Sequence, residues 1–496
     1  MTSYHYRVDA KRHGKTVRSN IAEARLVSPQ YQTYSIPGTI DPTGATDVTA
    51  ALQAWIASVP DGTEGRPNVL QFGSTGTYLI QTVLNIGDRQ NLVLNGDGCS
   101  LIRTDNRYCA TSLNYAMASA TAVGTTATFT TATPFRAIDT HSQIQITGCT
   151  PSAYNTVGSQ TWPVTEVVSD TVLKATLASD PGGAATVVGT LERMAKEHHM
   201  LWVGTDTING SAWSRNITLR DMTINGPYDV SGTVTWDPDY EFQHGIRIEG
   251  VEGLTIENVT VRECHGDGIY NQGRPVGPGL YTPSSSLDVR GSTFYYLGRH
   301  GWSFQGLYGG LLKNNVIDQI GRGGISMEPP GVVHGQVSYT VEDLVISSAT
   351  EGNGAVIYAT GSGAPDWGPL VFRRVTFNNL AVRDFFFYGS NVSGDTLGYR
   401  NGLTIDDCSF KGYGDASASG LRAAIYLEGA VKGWQNVLVK DSDFEFGQVA
   451  IDEGGIRLVN CDSVTSTGCT FTNVYDYGGT PSWYGDGGGN TNISMS

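Results

Sequence analysis

The sequence predicts an all-β solenoid, a chain wound into stacked coils of short strands. Three observations carry that expectation. Glycine is abundant, at 63 of 496 residues, while charged residues make up only 16 %, a profile of many turns. Short segments recur around an aligned glycine: HGIRIE at Gly245, DGIYNQ at Gly268, HGWSFQ at Gly301 and GGISME at Gly324, spaced by 23, 33 and 23 residues. No long helical pattern separates them, and repeats of this length built from strands alone mean stacked coils.

Residues 1–35 read as a basic arm. Over 1–27, Arg7, Lys11, Arg12, Lys15, Arg18 and Arg25 face only Asp9 and Glu23, a local +4 on a chain of net charge −15. Such an arm either docks on an acidic neighbour or stays solvated. Its basic stretch is not followed by the apolar run and cleavage site of a secretion signal. Residues 36–109 open the solenoid. Val48, Ala51, Leu52, Trp55, Ile56 and Val59 recur at helical spacing, Thr46 or Asp47 suits the N-cap, and Pro60-Asp61-Gly62 stops the helix. Short strands follow in NVLQF, GTYLI, NLVLNG and SLIRT.

This order, with DPTGATD (41–47) ahead of the amphipathic helix and GTYLI beyond it, resembles the opening of pectate-lyase-like proteins. That group includes many bacteriophage tailspikes. The resemblance implies a right-handed parallel β-helix whose open end is covered by the helix, hiding apolar side chains and unpaired strand edges. Residues 110–200 do not share the repeat. Their Thr/Val-rich strands and Gly/Pro/Asp turns predict a small inserted β-sandwich or barrel. Within them PSAYNTVGSQTWPVTEVVSDTVLKATLA resembles a β module frequent in phage structural proteins. Residues 201–470 form the main β-helix. Second strands follow in GLTIENVTV, SLDVRGSTF, GLLKNNVI, LVFRRVTF, GLTIDDCSF and NVLVKDSDF, and GAVIYAT, RAAIYLEG and QVAIDEGG echo the first. Residues 471–496, with YDYGGTPSWYGDGGGN, read as a Gly/aromatic tail too polar for a core.

Stacking the aligned coils places equal positions in columns about 4.8 Å apart. One residue before the glycine stand His244, Asp267, His300 and Gly323; Arg299 and Arg322 precede two of these. Past it, Ile246, Ile269, Trp302 and Ile325 point inward, as do Ile248, Asn271, Phe304 and Met327. Arg247, Tyr270, Ser303 and Ser326 point outward, then Glu249, Gln272, Gln305 and Glu328, together lining a polar groove.

The first column resembles the polygalacturonase family of inverting hydrolases. Asp267 falls on the second acid of its Asp-Asp motif, His300 in RHG on its Gly-His-Gly, and Arg322 lies near its basic motif. His244 stands where that family keeps an Asp, and Gly266 replaces one paired acid. An inverting hydrolase needs two carboxyls roughly 6.5–9.5 Å apart. The second therefore has to come from WDPDYEFQ, through Asp237, Asp239 or Glu241, the last two being preferred. The expected site has Asp267, His300, Asp239 and Glu241 as catalytic groups. His244, Arg299, Arg322, Tyr270, Gln272, Gln305 and Glu328 hold sugar. The alternative for Asp267 is a turn residue closing a coil.

The acidic balance argues against nucleic acid, and no apolar run is long enough for membrane insertion. The seven cysteines lack metal-ligand spacing and read as small core residues; neither a metal nor another cofactor is expected. The expectation is a tail-associated virion protein that binds a bacterial surface polysaccharide, with other tail proteins and further copies of itself, as a homotrimer or other homo-oligomer, as partners. Whether it also depolymerises the glycan, as a glycoside hydrolase or polysaccharide lyase, stays open. The alternatives are a secreted, extracellular lyase or hydrolase and a non-catalytic structural or adhesive virion protein.

Overall fold

A computed structural model of the chain describes in full residues 32–104, 112–135, 142–158, 160–193, 199–204, 214–228, 230, 232–238, 240–273, 284–327, 338–347, 369–378, 401–411, 423–429, 433–445, 455–472 and 490–494, and further strands by backbone alone. The chain is a parallel β-helix. One face is an eleven-stranded parallel sheet in chain order: Leu84–Ile86, Leu201–Gly204, Ile246–Glu249, Ile269–Gln272, His300–Phe304, Gly323–Met327, Ala355–Tyr358, Phe385–Asn391, Arg422–Gly429, Glu453–Leu458 and Trp483–Gly485. The aligned glycine segments supply its third to sixth strands, with Ile246 opposite Ile269, Ile269 opposite Trp302, and Trp302 opposite Ile325. The QVAIDEGG echo is corrected by five residues: Ile425 pairs with Ile456 rather than Ile451, and the strand is Glu453–Leu458.

The remaining faces are built by the second strands, which share a bend at one register position. Asp221, Asn258, Gly291, Asn314, Asp343, Arg374, Asp407, Asp441 and Gly468 succeed one another at this corner, all with φ between 50° and 66°. Asn, Asp and Gly dominate because they accept the left-handed conformation most readily. The residues just before the corner carry charges of both signs, and Arg373 lies 2.7 Å from Glu342 and 3.2 Å from Asp406, with Lys440 3.0 Å from Asp406. Inside, Phe377, Phe410, Phe444 and Phe471 stack at 4.9, 4.8 and 4.7 Å. Identical positions on successive coils thus meet as one column.

The helix Thr49–Ser58 buries Leu52, Trp55 and Ile56 against the first coils. Asp47 Oδ1 accepts the Thr49 N–H (3.0 Å) just ahead of it. Asp41, at the head of DPTGATD, accepts from the N–H groups of Thr43 and Thr46 (2.9 and 3.1 Å), so the motif is a structural turn. Six antiparallel strands between Leu113 and Arg193 close a small barrel with its own core around Phe129, Ile144, Tyr154 and Leu173. The strands on either side, Gln90–Ile102 and Ser214–Asn225, pair directly in parallel, so the barrel is inserted between two adjacent coils. Arg103 ties the junction by donating to the His199 carbonyl (3.1 Å).

The expectation of a tail beyond 470 is corrected. Trp483–Gly485 and Thr491–Met495 pair with the preceding coil, and Phe471 and Ile493 pack on the core. A coil needs an apolar residue only at alternate positions, so a glycine-rich stretch is compatible with one. Of the six described cysteines, five are buried, and burial pushes the Cys99, Cys264 and Cys408 thiols up to about 12.

Candidate functional site

The column before the aligned glycine is real and one coil longer than the sequence alignment suggested. Leu201 pairs with Ile246, so His199 precedes His244, Asp267 and His300 in the same register. His199 escaped notice because Met200, not glycine, follows it. Its ring stacks on His244 at 5.1 Å, and His244 stacks on Tyr270 at 4.5 Å.

Asp267 is fully buried. Oδ1 accepts the backbone N–H of His300 (3.0 Å), and Oδ2 accepts from Arg299 Nη1 (3.0 Å). Its own N–H donates to His244 Nδ1 (2.9 Å). That nitrogen therefore carries a lone pair, and its 3.3 Å approach to Asp267 Oδ2 is a contact rather than a salt bridge. Burial first, then His199, Arg299 and His300, hold His244 well below the usual histidine range. Burial, Arg299 and Arg322 do the same for His300. Both imidazoles are neutral at pH 7.

Arg299 also lies 3.8 Å from Glu241, whose side chain is 24 % exposed. The guanidinium thus bridges a buried and an accessible carboxylate. That bridge keeps their oxygens no further apart than the upper end of the roughly 6.5–9.5 Å used by inverting glycosidases. Glu241 belongs to a strap, residues 232–243, held on the column's edge. Its Tyr240 ring and that of Tyr228 cover His265 at 4.7 and 4.4 Å, and Trp236 receives the Arg322 guanidinium at 4.5 Å. Gly266 is required beneath it: a Cβ there would lie 2.5 Å from the Glu241 carbonyl and 2.7 Å from His244 Nδ1. The side chain of Asp239, on the same strap, and Glu328 lie outside the described residues.

The outward row differs from expectation. Arg247, Tyr270, Ser303 and Ser326 are all buried, at 8, 7, 5 and 1 % exposure. Arg247 is covered because it is shared: it lies over Trp202 (5.0 Å), contacts His199 Nε2 (3.0 Å), and donates to Glu249 (3.2 Å) and to Gln272 (3.1 Å). Gln272, Gln305 and Arg322 are half-buried. Among the described residues no cluster of three or more His, Cys, Asp or Glu suits a metal ion, and no helix is long and apolar enough to cross a membrane.

Comparison with known proteins places this geometry. Residues 39–274 match the family model described as rhamnogalacturonase A/epimerase, pectate lyase-like. Those residues are similar to that family, and the chain as a whole is a parallel β-helix. An uncharacterized protein derived from the SPbeta prophage of Bacillus subtilis, YorA, is 31 % identical over 114 residues, 22 % of this chain and 20 % of that relative. The match therefore spans about a fifth of the relative's length. Similar solved structures include a family 28 exopolygalacturonase of Yersinia enterocolitica, at 14 % identity over 100 % of this chain and 83 % of that one, TM-score 0.48. ORF18 of Geobacillus virus E2 aligns at 10 % identity over 92 % and 66 %, TM-score 0.39. The A-module of the Azotobacter vinelandii mannuronan C-5 epimerase AlgE4 aligns at 14 % over 90 % and 97 %, TM-score 0.41.

Proposed function

We propose that this chain is a tail-associated bacteriophage protein that binds a bacterial surface polysaccharide along the edge of its eleven-stranded sheet, around Glu241, Arg299 and the histidine column. The single observation that carries the reading is the bridged pair: buried Asp267 fixes Arg299, and Arg299 meets the accessible Glu241. Rigid, preorganised polar groups on successive coils suit an elongated polymer, because each coil adds a rung at about 4.8 Å. Asp267 is then a positioning residue, since both of its oxygens are engaged by donors. The pectate-lyase-like match over 39–274 supports a carbohydrate ligand, and the prophage-derived relative supports a phage setting.

Cleavage is the second reading, favoured by the two carboxylates, Glu241 and Asp267, that one guanidinium holds at the same edge. Incubation with a panel of bacterial capsular and cell-wall polysaccharides separates the readings. Retention without product marks an adhesin. Reducing ends without ultraviolet-absorbing product mark a hydrolase, and both signals together mark a lyase. Retention of none of the panel overturns the proposal. Assembly as a homotrimer, with the basic arm docked on a tail partner, belongs to the same proposal; a monomer by light scattering at micromolar concentration counts against it.

A further inference from the structure

The hydrogen bonds around the column determine where each histidine keeps its proton. His300 Nδ1 lies 3.2 Å from the Gly323 carbonyl, which only accepts, so Nδ1 carries the hydrogen and Nε2 is a bare acceptor. His244 has the opposite tautomer: Nδ1 accepts the Asp267 N–H, so Nε2 carries the hydrogen. Among the described residues neither Nε2 has a hydrogen-bond partner, and neither does Ser303 Oγ on the neighbouring outward row. Unpartnered buried polar atoms are costly unless something else satisfies them. The outward row also narrows here, from Trp202, Arg247 and Tyr270 to Ser303 and Ser326, and Gly323 follows His300 in its column.

Resting on the polysaccharide reading above, we propose that His244 and His300 select an uncharged, hydroxyl-bearing sugar unit over a uronic acid. A hydroxyl both donates and accepts, so one sugar hydroxyl accepts from His244 Nε2 while another donates to His300 Nε2. The two histidines stand two coil steps apart, roughly 10 Å, a span that a pyranose and its two hydrogen bonds fill. A carboxylate cannot donate, and its charge is repelled by the bare lone pair of His300. Of the two cations near His300, Arg299 already faces two carboxylates, Asp267 and Glu241, and Arg322 lies over the Trp236 ring at 4.5 Å. Burial and the flanking arginines keep both imidazoles from protonating, which preserves the pattern across neutral pH. Phe242 of the strap lies edge-on to the His244 ring at 6.1 Å, at the border of this pair.

The test uses the full chain and a panel of bacterial polysaccharides divided into neutral and uronate-bearing members, together with polygalacturonate and its carboxyl-reduced form. Nitrogen-15 NMR of the histidines reads the tautomers directly. The expected result is retention confined to neutral glycans, with His244 as the Nε2–H form and His300 as the Nδ1–H form. His300→Phe should weaken that retention roughly ten- to a hundredfold while circular dichroism shows the β-helix still folded. His300→Gln, which keeps an acceptor, should restore part of it. Equal or stronger retention of uronate polymers, or the opposite tautomers, overturns the inference and leaves polysaccharide binding standing. Retention of nothing overturns the polysaccharide reading itself, and this inference with it.

Discussion

Asp267→Asn separates a positioning role from a catalytic one. The side chain keeps its shape, and the new Oδ1 still accepts the His300 N–H. The change falls on the other oxygen, where an amide NH₂ now faces the Arg299 guanidinium, donor against donor. Arg299, only 9 % exposed, is left with Glu241 at 3.8 Å as its counter-charge. Removing one partner of a buried ion pair costs roughly 3–5 kcal/mol, and the residual Glu241 contact argues for the lower end, about 3 kcal/mol. Equilibrium urea unfolding followed by tryptophan fluorescence measures the loss, and amide exchange at His300 reports whether the turn loosens. Adding Arg299→Met should recover most of the stability, because no uncompensated charge then stays buried. A loss below about 1 kcal/mol would refute the reasoning, and turnover abolished at unchanged stability would place Asp267 in the chemistry.

Three further outcomes follow from the geometry. His265 is held neutral by burial, its pKa pushed down to about 4 from an ordinary 6.5. Its contribution is therefore complete above pH 6.5 and lost as pH falls toward 4, about 3 kcal/mol in all; unfolding midpoints from pH 7 to 4 should drop less steeply in His265→Gln. At the corner, Asn258 has φ 53°, so Asn258→Val should cost about 1–2 kcal/mol in thermal unfolding while Asn258→Gly stays near wild type. Gly266→Ala drives a methyl against the Glu241 carbonyl and should reduce polysaccharide retention by displacing the strap; unchanged retention would show that the strap does not shape the site.

The coil architecture was legible because its signals are local. A strand alternates at every second residue, and a corner demands Asn, Asp or Gly at one position, so GLTIENVTV and its relatives announce themselves without reference to the rest of the chain. The register of His244, Asp267 and His300 followed from the glycine alignment for the same reason. Residues that break the alignment while keeping the register were missed: Met200 concealed His199, and Gly454-Gly455 drew attention away from Ile456. What covers the outward row could not be read, since it depends on which side chains of neighbouring coils meet there. Arg247 and Tyr270 look like groove residues by alternation. Arg247 is buried because His199, Trp202 and Glu249 close around it, and Tyr270 because the His244 ring stacks on it and Arg247 reaches over it. The position of Asp267 came from the sequence. Its partners, the Arg299 guanidinium and the His300 N–H, were decided by tertiary packing, because burial and electrostatic pairing depend on neighbours in space that periodicity along the chain does not encode.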